Sequence, residues 1–243
     1  MLDSEKNFNN IKIHTQYSIC EGAIKIDDLA EYCKTNKIRS IGLTDSFNLC
    51  GALEFSEKLS KAGTQPIIGT QINLKAKNII GKVTLYAKTI EGYKNLTKLS
   101  SLSYLNCGQN EEPSCRIEDL IVNNKDLIFL TGNYRDFFGK LFKANKSKNL
   151  IEILTLIKEN FNNRLYLEVQ RHNENEEKNY ENFILNNSKN LNIPLIATQE
   201  VFYIDAEMYE AHDVLRCIGE KNFVDDKNRF KLSDQHFLKN HDE

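Results

Sequence analysis

The 243-residue chain is 40% apolar and 27% charged, which is typical of a globular protein with an ordinary core. Its formal net charge of -2 argues against a broad nucleic-acid-binding surface, because contacts to phosphates need an excess of basic residues. No apolar run reaches the ~18 residues of a transmembrane helix, and the polar N-terminus is unlike a secretory signal. Six cysteines without a C-x-x-C pair are typical of reduced thiols, so we expect a cytoplasmic protein.

Short β-branched stretches alternate along the chain with longer amphipathic stretches. The predicted strands are residues 11–14, 40–45, 65–75, 81–89, 127–133, 164–172 and 193–204. The predicted helices are residues 25–37, 49–63, 91–105, 136–146, 149–161, 177–192 and 207–220. We expect the third and fourth strands to form a hairpin around a turn at residues 76–80. The irregular stretch 106–124 is predicted to be a surface loop with one short helix.

This alternation of strand and helix predicts parallel strands joined by crossover helices. No G-x-G-x-x-G or Walker A motif follows any strand, so a closed barrel is favoured over a doubly wound nucleotide-binding sheet. We therefore predict an α/β fold of the distorted (β/α)7 barrel type. Residues 1–222 form the predicted domain, and residues 223–243 form a polar tail of weak periodicity.

Functional residues of such a barrel gather at the carboxyl ends of its strands. The candidate residues at these ends are Lys12, His14, Glu21, Asp45, Ser46, Gln71, Asn133, Glu168, Arg171, Glu200 and Phe202. A hydrolytic site with two or three metal ions would need about six His, Asp or Glu ligands and an open position for water. This set supplies too few ligands, so we predict a cleft with no metal, no cofactor and no catalytic residue.

Lys12 would place a cation where a metal ion should lie, and its ammonium opposes metal binding. We expect it to pair with Glu21 or Glu200 instead. His14 is expected to form a hydrogen bond with a neighbouring carboxylate rather than to ligate a metal. These interpretations together predict a polar network around the lysine.

Other strand-end residues also have simple structural interpretations. Asp45 is expected to cap the helix that follows it. Glu168 and Arg171 are expected to form an ion pair across the mouth of the barrel. His172 runs into a polar stretch and is predicted to be a solvated loop residue, whereas His212 is predicted to be a hydrogen-bonded helix residue.

Six blocks of sequence follow one another in an order and spacing typical of one family. They read IHTQYSICEGAIKIDDLAEYC, IGLTDSFNLCGALEF, AGTQPIIGTQINL, EGYKNLTKLSS, LYLEVQRH, and IPLIATQEVFYI with EAHDVL. Over about residues 8–220 the chain resembles the PHP (polymerase and histidinol phosphatase) domain found in the N-terminal part of bacterial DNA polymerase III alpha subunits. The resemblance implies a PHP-like barrel whose polar tail leads toward a polymerase core absent from this sequence.

The resemblance also implies where metal ligands would lie. Metal-binding members carry His-x-His in the first strand, where this chain has Lys12 and His14. Positions that are histidine, glutamate, cysteine and histidine in those members are here, respectively, Ser46, Gln71, Asn133 and Phe202. Glu21 and Glu200 keep an acid at their positions. At least five ligands are therefore replaced, and the resemblance implies a degenerate metal site.

The function implied by the resemblance is a structural and docking module of a DNA-directed DNA polymerase, a nucleotidyltransferase of DNA replication, with the fragment itself non-catalytic. The implied partners are the rest of the polymerase chain and the proofreading exonuclease (epsilon) subunit, with DNA contacted only through the full-length protein and no membrane. One alternative is a metal-dependent phosphoesterase or 3'-5' exonuclease that uses His14, Glu21, Asp45 and Glu200. Another is a stand-alone small-molecule phosphatase of the same superfamily.

Overall fold

The computed structural model describes residues 8–109, 111–240 and 243. The strands are β1 (Lys12–Ile13), β2 (Ser40–Leu43), β3 (Gln65–Ala76), β4 (Ile79–Ala87), β5 (Cys115–Arg116), β6 (Leu127–Leu130), β7 (Leu165–Val169), β8 (Leu195–Ala197) and β9 (Glu200–Val201). The helices are α1 (Ile26–Thr35), α2 (Ala52–Lys61), α3 (Ile90–Leu105), α4 (Ile117–Val122), α5 (Phe137–Lys143), α6 (Ser147–Phe161), α7 (Glu177–Leu191) and α8 (Tyr209–Glu220). Short 3-10 helices cover Asn162–Arg164 and Ala206–Met208.

Within the described part of the chain, the strands form one mixed sheet in the order β8-β7-β6-β4-β3-β2-β1-β9, and β5 adds to β3. β4 runs antiparallel to β3 and β6, and the other pairs are parallel. β8 and β9 lie at the two ends of this order, yet only Thr198 and Gln199 separate them in sequence. The chain itself therefore joins the two ends of the sheet, and the predicted distorted barrel is confirmed.

The turn between β3 and β4 has the backbone of a tight hairpin. Ala76 pairs with Ile79, which leaves a two-residue loop of Lys77 and Asn78. Both residues have positive φ angles, 50° and 60°, as a type I′ turn requires. The expected hairpin is confirmed, with a shorter turn than the predicted one.

Two apolar clusters pack against the outer surface of the sheet. The larger lies between β3, β4, β6 and β7 and helices α3 to α7, and includes Phe129 and Phe161. The smaller lies between β1, β2 and helices α1 and α2, and includes Leu29 and Phe55. Each of these four side chains is fully buried. Helices that bury one stripe in this way obtain their stability from packing, and together they cover the outside of the barrel.

Three stretches of the chain differ from their predictions. The strand predicted over residues 193–204 is divided into β8 and β9, because β8 pairs with β7 whereas β9 pairs with β1. β5 was missed, although it pairs with Leu74 and Lys75 of β3. Part of the predicted polar tail packs onto the barrel, since Phe237 bridges Tyr203 and Leu238 is buried. Among the described helices, none combines the length and apolar character needed to cross a membrane.

Candidate functional site

A fully buried lysine lies at the centre of the strand ends. Lys12 is on β1 and pairs in register with Glu200 of β9, which places both side chains on the same face of the sheet. The Lys12 Nζ atom is 3.3 Å from Glu168 Oε1 and 3.5 Å from both Asp136 Oδ2 and Glu200 Oε1. These four residues are called the lysine cluster. The expected pairing of Lys12 with Glu21 or Glu200 is confirmed at Glu200, and Glu21 pairs with Lys82 instead.

Amide side chains saturate the Glu200 carboxylate of the lysine cluster. Gln71 Nε2 donates to its Oε1 at 2.8 Å, and Asn133 Nδ2 donates to its Oε2 at 3.1 Å. His14 Nε2 also donates to Oε1, at 3.2 Å. The expected hydrogen bond between His14 and a neighbouring carboxylate is therefore confirmed. Each of these donors occupies a carboxylate lone pair that a metal ion would need.

Hydrogen-bond donors also surround the carboxylate of Glu168 on β7. The backbone N–H of Gly132 donates to its Oε2 at 2.9 Å, and Gln170 Nε2 donates to its Oε1 at 2.6 Å. The Thr198 hydroxyl donates to the same Oε1 atom. Buried polar groups are costly unless they are paired, and this carboxylate is fully paired within the barrel.

One cation faces three carboxylates in the lysine cluster, and the pKa values of Lys12, Glu200 and Asp136 reflect that imbalance. Burial alone lowers the pKa of Lys12, but Glu168, Glu200 and Asp136 outweigh it, so its pKa is raised. Burial favours the neutral acid at Glu200 as well, yet Lys12 and His14 hold its pKa well below the usual range. Burial raises the pKa of Asp136 to about 6 despite the nearby ammonium. Lys12 and His14 thus favour the charged form of Glu200, whereas burial and the neighbouring carboxylates favour the neutral form of Asp136.

A second ion pair lies beside the lysine cluster. Glu21, in the loop after β1, accepts two hydrogen bonds of 2.8 Å from Lys82 Nζ on β4. The Ser46 hydroxyl donates to the same carboxylate. Burial would raise the pKa of Glu21, but Lys82, His14 and the Ser46 hydroxyl together outweigh burial and lower the pKa to about 2. Lys82 was not among the predicted site residues, because its predicted strand gave no reason to single out one lysine.

Asp45 organises the loop after β1 instead of capping a helix. It accepts hydrogen bonds from the Thr15 backbone N–H at 2.7 Å, the Thr15 hydroxyl at 2.8 Å and the Ser18 hydroxyl at 2.7 Å. The N-cap of the following helix α2 is Gly51. The predicted capping role is therefore wrong. Burial raises the pKa of Asp45, and the three donors oppose that rise.

Stacked rings close one side of the cleft. Phe202 stacks on His14 with ring centroids 4.6 Å apart, and on His212 at 5.5 Å. His172 stacks on His236 at 4.0 Å. His212 Nε2 donates to the Glu21 backbone carbonyl at 2.7 Å, as predicted for a hydrogen-bonded helix residue.

Two histidines differ from their predicted environments. His172 is only 1% exposed, so its predicted solvation is wrong. The Glu177 carboxylate, which contacts its ring and accepts from its backbone N–H, holds it inside. No role was predicted for His236, because it lies in a polar stretch of the sequence. It is buried in the structure, and its Nδ1 donates to the Glu200 carbonyl at 3.0 Å. Burial lowers the pKa of both imidazoles, to about 4 for His236.

Arg171 is separated from the other predicted residues. Its side chain is 75% exposed and pairs with Glu181 of α7. The expected ion pair between Glu168 and Arg171 is wrong, because Glu168 points inward to Lys12 while Arg171 points outward. Apart from Arg171, the predicted cleft residues converge on one end of the barrel.

The cleft opens to a cavity of about 450 Å³, whose lining includes Glu21, Lys82, Asp136, Glu200 and Phe202. Asp136 was missed because its sequence pattern indicated only the start of helix α5. Among the residues that the structure describes, no three His, Cys, Asp or Glu side chains are arranged to hold a metal ion. Since Lys12 occupies the position between the carboxylates, the residues present do not fit a catalytic metal.

Comparisons with known proteins agree with this barrel. The family model described as the PHP domain matches residues 10–172. The DNA polymerase III subunit alpha of Caulobacter vibrioides is 33% identical over 98% of this chain and 22% of its own length. That of Haemophilus influenzae is 29% identical over 99% of this chain and 21% of its own length. The chain thus spans about one-fifth of these relatives.

Solved structures share the fold at low identity. A protein of Bifidobacterium adolescentis, provisionally assigned as a metal-dependent phosphoesterase, has a TM-score of 0.53 at 12% identity, over 79% of this chain and 86% of its own. An amidohydrolase of Chromobacterium violaceum has a TM-score of 0.51 at 8% identity, over 80% of this chain and 87% of its own. These likenesses concern the barrel alone. The family match, the relatives and the barrel together show that this chain belongs to the PHP domain family.

Proposed function

We propose that this chain is the PHP domain of a DNA polymerase III alpha subunit and that its metal site is degenerate. In this proposal it acts in the cytoplasm as a structural and docking module of DNA replication. Its relatives are alpha subunits of about five times the shared length, which supports a role within a larger polymerase chain. Nucleotide polymerisation would belong to the remainder of such a chain.

The main observation in support of a degenerate metal site is the position of Lys12. A hydrolytic metal centre needs several deprotonated ligands and one position for an activated water. Here the carboxylates of Asp136, Glu168 and Glu200 surround an ammonium instead. A divalent ion about 4 Å from that ammonium would be repelled strongly in a partly desolvated cleft.

The proposal is tested by metal content and hydrolysis. The purified chain is dialysed against zinc or manganese and its bound metal is measured by elemental analysis. The same preparations are assayed on DNA 3′ ends and on phosphate monoesters. We expect clearly less than one metal ion per chain and no hydrolysis, because Lys12 occupies the ligand centre. Stoichiometric metal, or cleavage that disappears in a His14→Ala variant, would contradict the degenerate site and favour the exonuclease alternative.

We further propose that the domain binds the proofreading exonuclease (epsilon) subunit of its replicase. The support is membership of the alpha-subunit group of PHP domains. DNA would be contacted only through the full-length polymerase.

A further inference from the structure

Helix α8 is inverted: its polar side faces the barrel and its apolar side faces solvent. His212, Asp213 and Cys217 on the inner side are buried. The outer side carries Ala211, Val214, Leu215 and Ile218, at the spacing of three and four residues that defines one helix stripe. Val214 is 43% exposed and Ile218 is 66% exposed. A surface helix normally buries its apolar stripe, so this face lacks a cover in the described structure.

Polar contacts hold the helix in this orientation. His212 Nε2 donates to the Glu21 carbonyl at 2.7 Å. Asp213 accepts two hydrogen bonds from the Arg229 guanidinium, at 2.7 and 2.5 Å, and both side chains are 8% exposed. Rotating α8 to bury its apolar side would break these buried contacts, each of which is costly to leave unpaired. The outward position of the stripe is therefore built into the fold.

The exposed apolar surface continues beyond the C-terminal end of α8. Phe223, two residues past the helix C-cap, is 84% exposed. Ile19 is 82% exposed, and its neighbour Cys20 lies against Gly219. The α8 face is defined as Ala211, Val214, Leu215, Ile218, Ile19 and Phe223. Exposed apolar side chains grouped on one element and its neighbours are typical of protein–protein contact sites.

The charges at the other end of α8 restrict its occupant. Asp205, Glu207 and Glu210 are exposed there, and they take part in none of the ion pairs formed among the described residues. A complementary surface would be apolar opposite the stripe and basic opposite these three acids. This polarity excludes an acidic occupant and leaves a protein surface with basic residues at one edge.

We propose that the α8 face docks the polymerase body of a DNA polymerase III alpha subunit, the part of the chain outside the PHP domain. This inference rests on the proposed function. About four-fifths of each relative lies outside the stretch shared with this chain. A large hydrophobic interface is what fixes one domain against another, and the α8 face combines exposed apolar side chains with a fixed orientation.

The test is a chimeric polymerase. This chain replaces the matching fifth of the Caulobacter vibrioides alpha subunit, and DNA synthesis and thermal unfolding are measured. The double variant Val214→Glu/Ile218→Glu is compared with Val122→Glu, because Val122 is also exposed, at 78%, but lies on α4. We expect the α8 variant to lower the melting temperature of the chimera and to reduce its DNA synthesis, because two buried carboxylates would oppose docking. The chimera with Val122→Glu should keep the melting temperature of the unmodified chimera. The isolated 243-residue chain should keep its own melting temperature with either change.

The possible outcomes separate the two proposals. An active chimera that tolerates the α8 variant would overturn docking at α8 while leaving the polymerase assignment intact. An inactive chimera with the unmodified chain would contradict the proposed function, and the docking inference with it. An equal fall in the melting temperature of the isolated chain would assign the effect to folding and overturn the inference. A dimer of the isolated chain that the α8 variant dissociates would identify a second copy as the occupant instead.

Discussion

At the scale of single residues, the barrel is organised by one buried charge. Lys12 has no exposed surface, and three carboxylates lie within 3.5 Å of its Nζ atom. A buried ion pair of this kind gives little net stability over an apolar replacement of the whole group, but breaking it by removing one partner is costly. The lysine is therefore a residue whose loss affects the entire strand-end cluster.

A Lys12→Met variant isolates that charge, because methionine keeps most of the side-chain volume. We expect the free energy of unfolding to fall by about 3–5 kcal/mol, since Glu168, Glu200 and Asp136 would lose their counter-charge. Urea denaturation at pH 7 measures this change. Lys94→Met on α3, where the side chain is 69% exposed, is the matched control and should change stability little. Equal stabilities of the Lys12 variant and the wild type would show that the cluster tolerates uncompensated carboxylates.

A pH dependence follows from Glu21. Its folded-state pKa is about 2, below the ordinary 4.5, because Lys82, His14 and Ser46 together outweigh the effect of burial. A lowered pKa contributes stability that is present above pH ~4.5 and is lost as the pH falls toward 2. We expect the free energy of unfolding of the wild type to exceed that of Glu21→Gln by about 3 kcal/mol at pH 7. Near pH 2 the two free energies should be almost equal.

The Glu21 comparison is made by denaturant unfolding across this pH range. Glu57→Gln, at an exposed position of α2, is the control and should show no such convergence. A stability difference between wild type and Glu21→Gln that stays constant down to pH 2 would contradict the lowered pKa.

At the scale of secondary-structure elements, the sequence predicted long elements well and short ones poorly. The strands and helices with continuous periodicity were predicted within a few residues, because burial against a sheet imposes that pattern. β5 and the break between β8 and β9 involve two- or three-residue pairings that leave no periodic signal. Asp136 and His236 were missed for a related reason, since their burial depends on contacts with distant strands.

The segment after α8 illustrates such long-range burial. Arg229 pairs with Asp213, and Phe202 N–H donates to the His236 carbonyl at 2.9 Å. Leu238 is 4% exposed and packs in the cluster formed by β1, β2, α1 and α2. The domain boundary between residues 222 and 223 stays a prediction, and these contacts make it testable.

Leu238→Ala should reduce the free energy of unfolding by about 2–5 kcal/mol, because it leaves a cavity in the smaller apolar cluster. Val224→Ala in the same segment, at a site 49% exposed, is the control and should cost far less. Thermal and urea unfolding measure both variants. A negligible effect of Leu238→Ala would mean that residues 223–243 contribute nothing to the barrel, as the predicted boundary requires.

At the scale of the whole molecule, the barrel joins two apolar clusters through one continuous sheet with a polar strand-end cleft. The fold class was predictable because the alternation of strand and helix constrains topology strongly. The proposed docking surface was not predictable, since an outward apolar face such as that of α8 has the same periodicity as an inward one.

The partner proposal predicts a measurable complex. We expect the purified chain to bind the proofreading exonuclease subunit of its own replicase in a calorimetric titration, with an unrelated protein of similar charge as control. The physical reason is that a docking module presents a preformed surface, so little ordering free energy opposes binding. Absence of binding at roughly tens of micromolar, weaker than roughly -6 kcal/mol, would count heavily against this partner.

The positive charge at the centre of the strand ends belongs to a side chain, Lys12, and not to a bound ion. A metal ion at the centre of a barrel is exchangeable, so a chelator or metal starvation can remove it and unfold the protein. An ammonium on a four-carbon stem is covalently attached and cannot dissociate. Under the proposed degenerate site, the strand ends around Lys12 therefore receive their positive charge with the polypeptide itself, and their assembly needs no divalent cation.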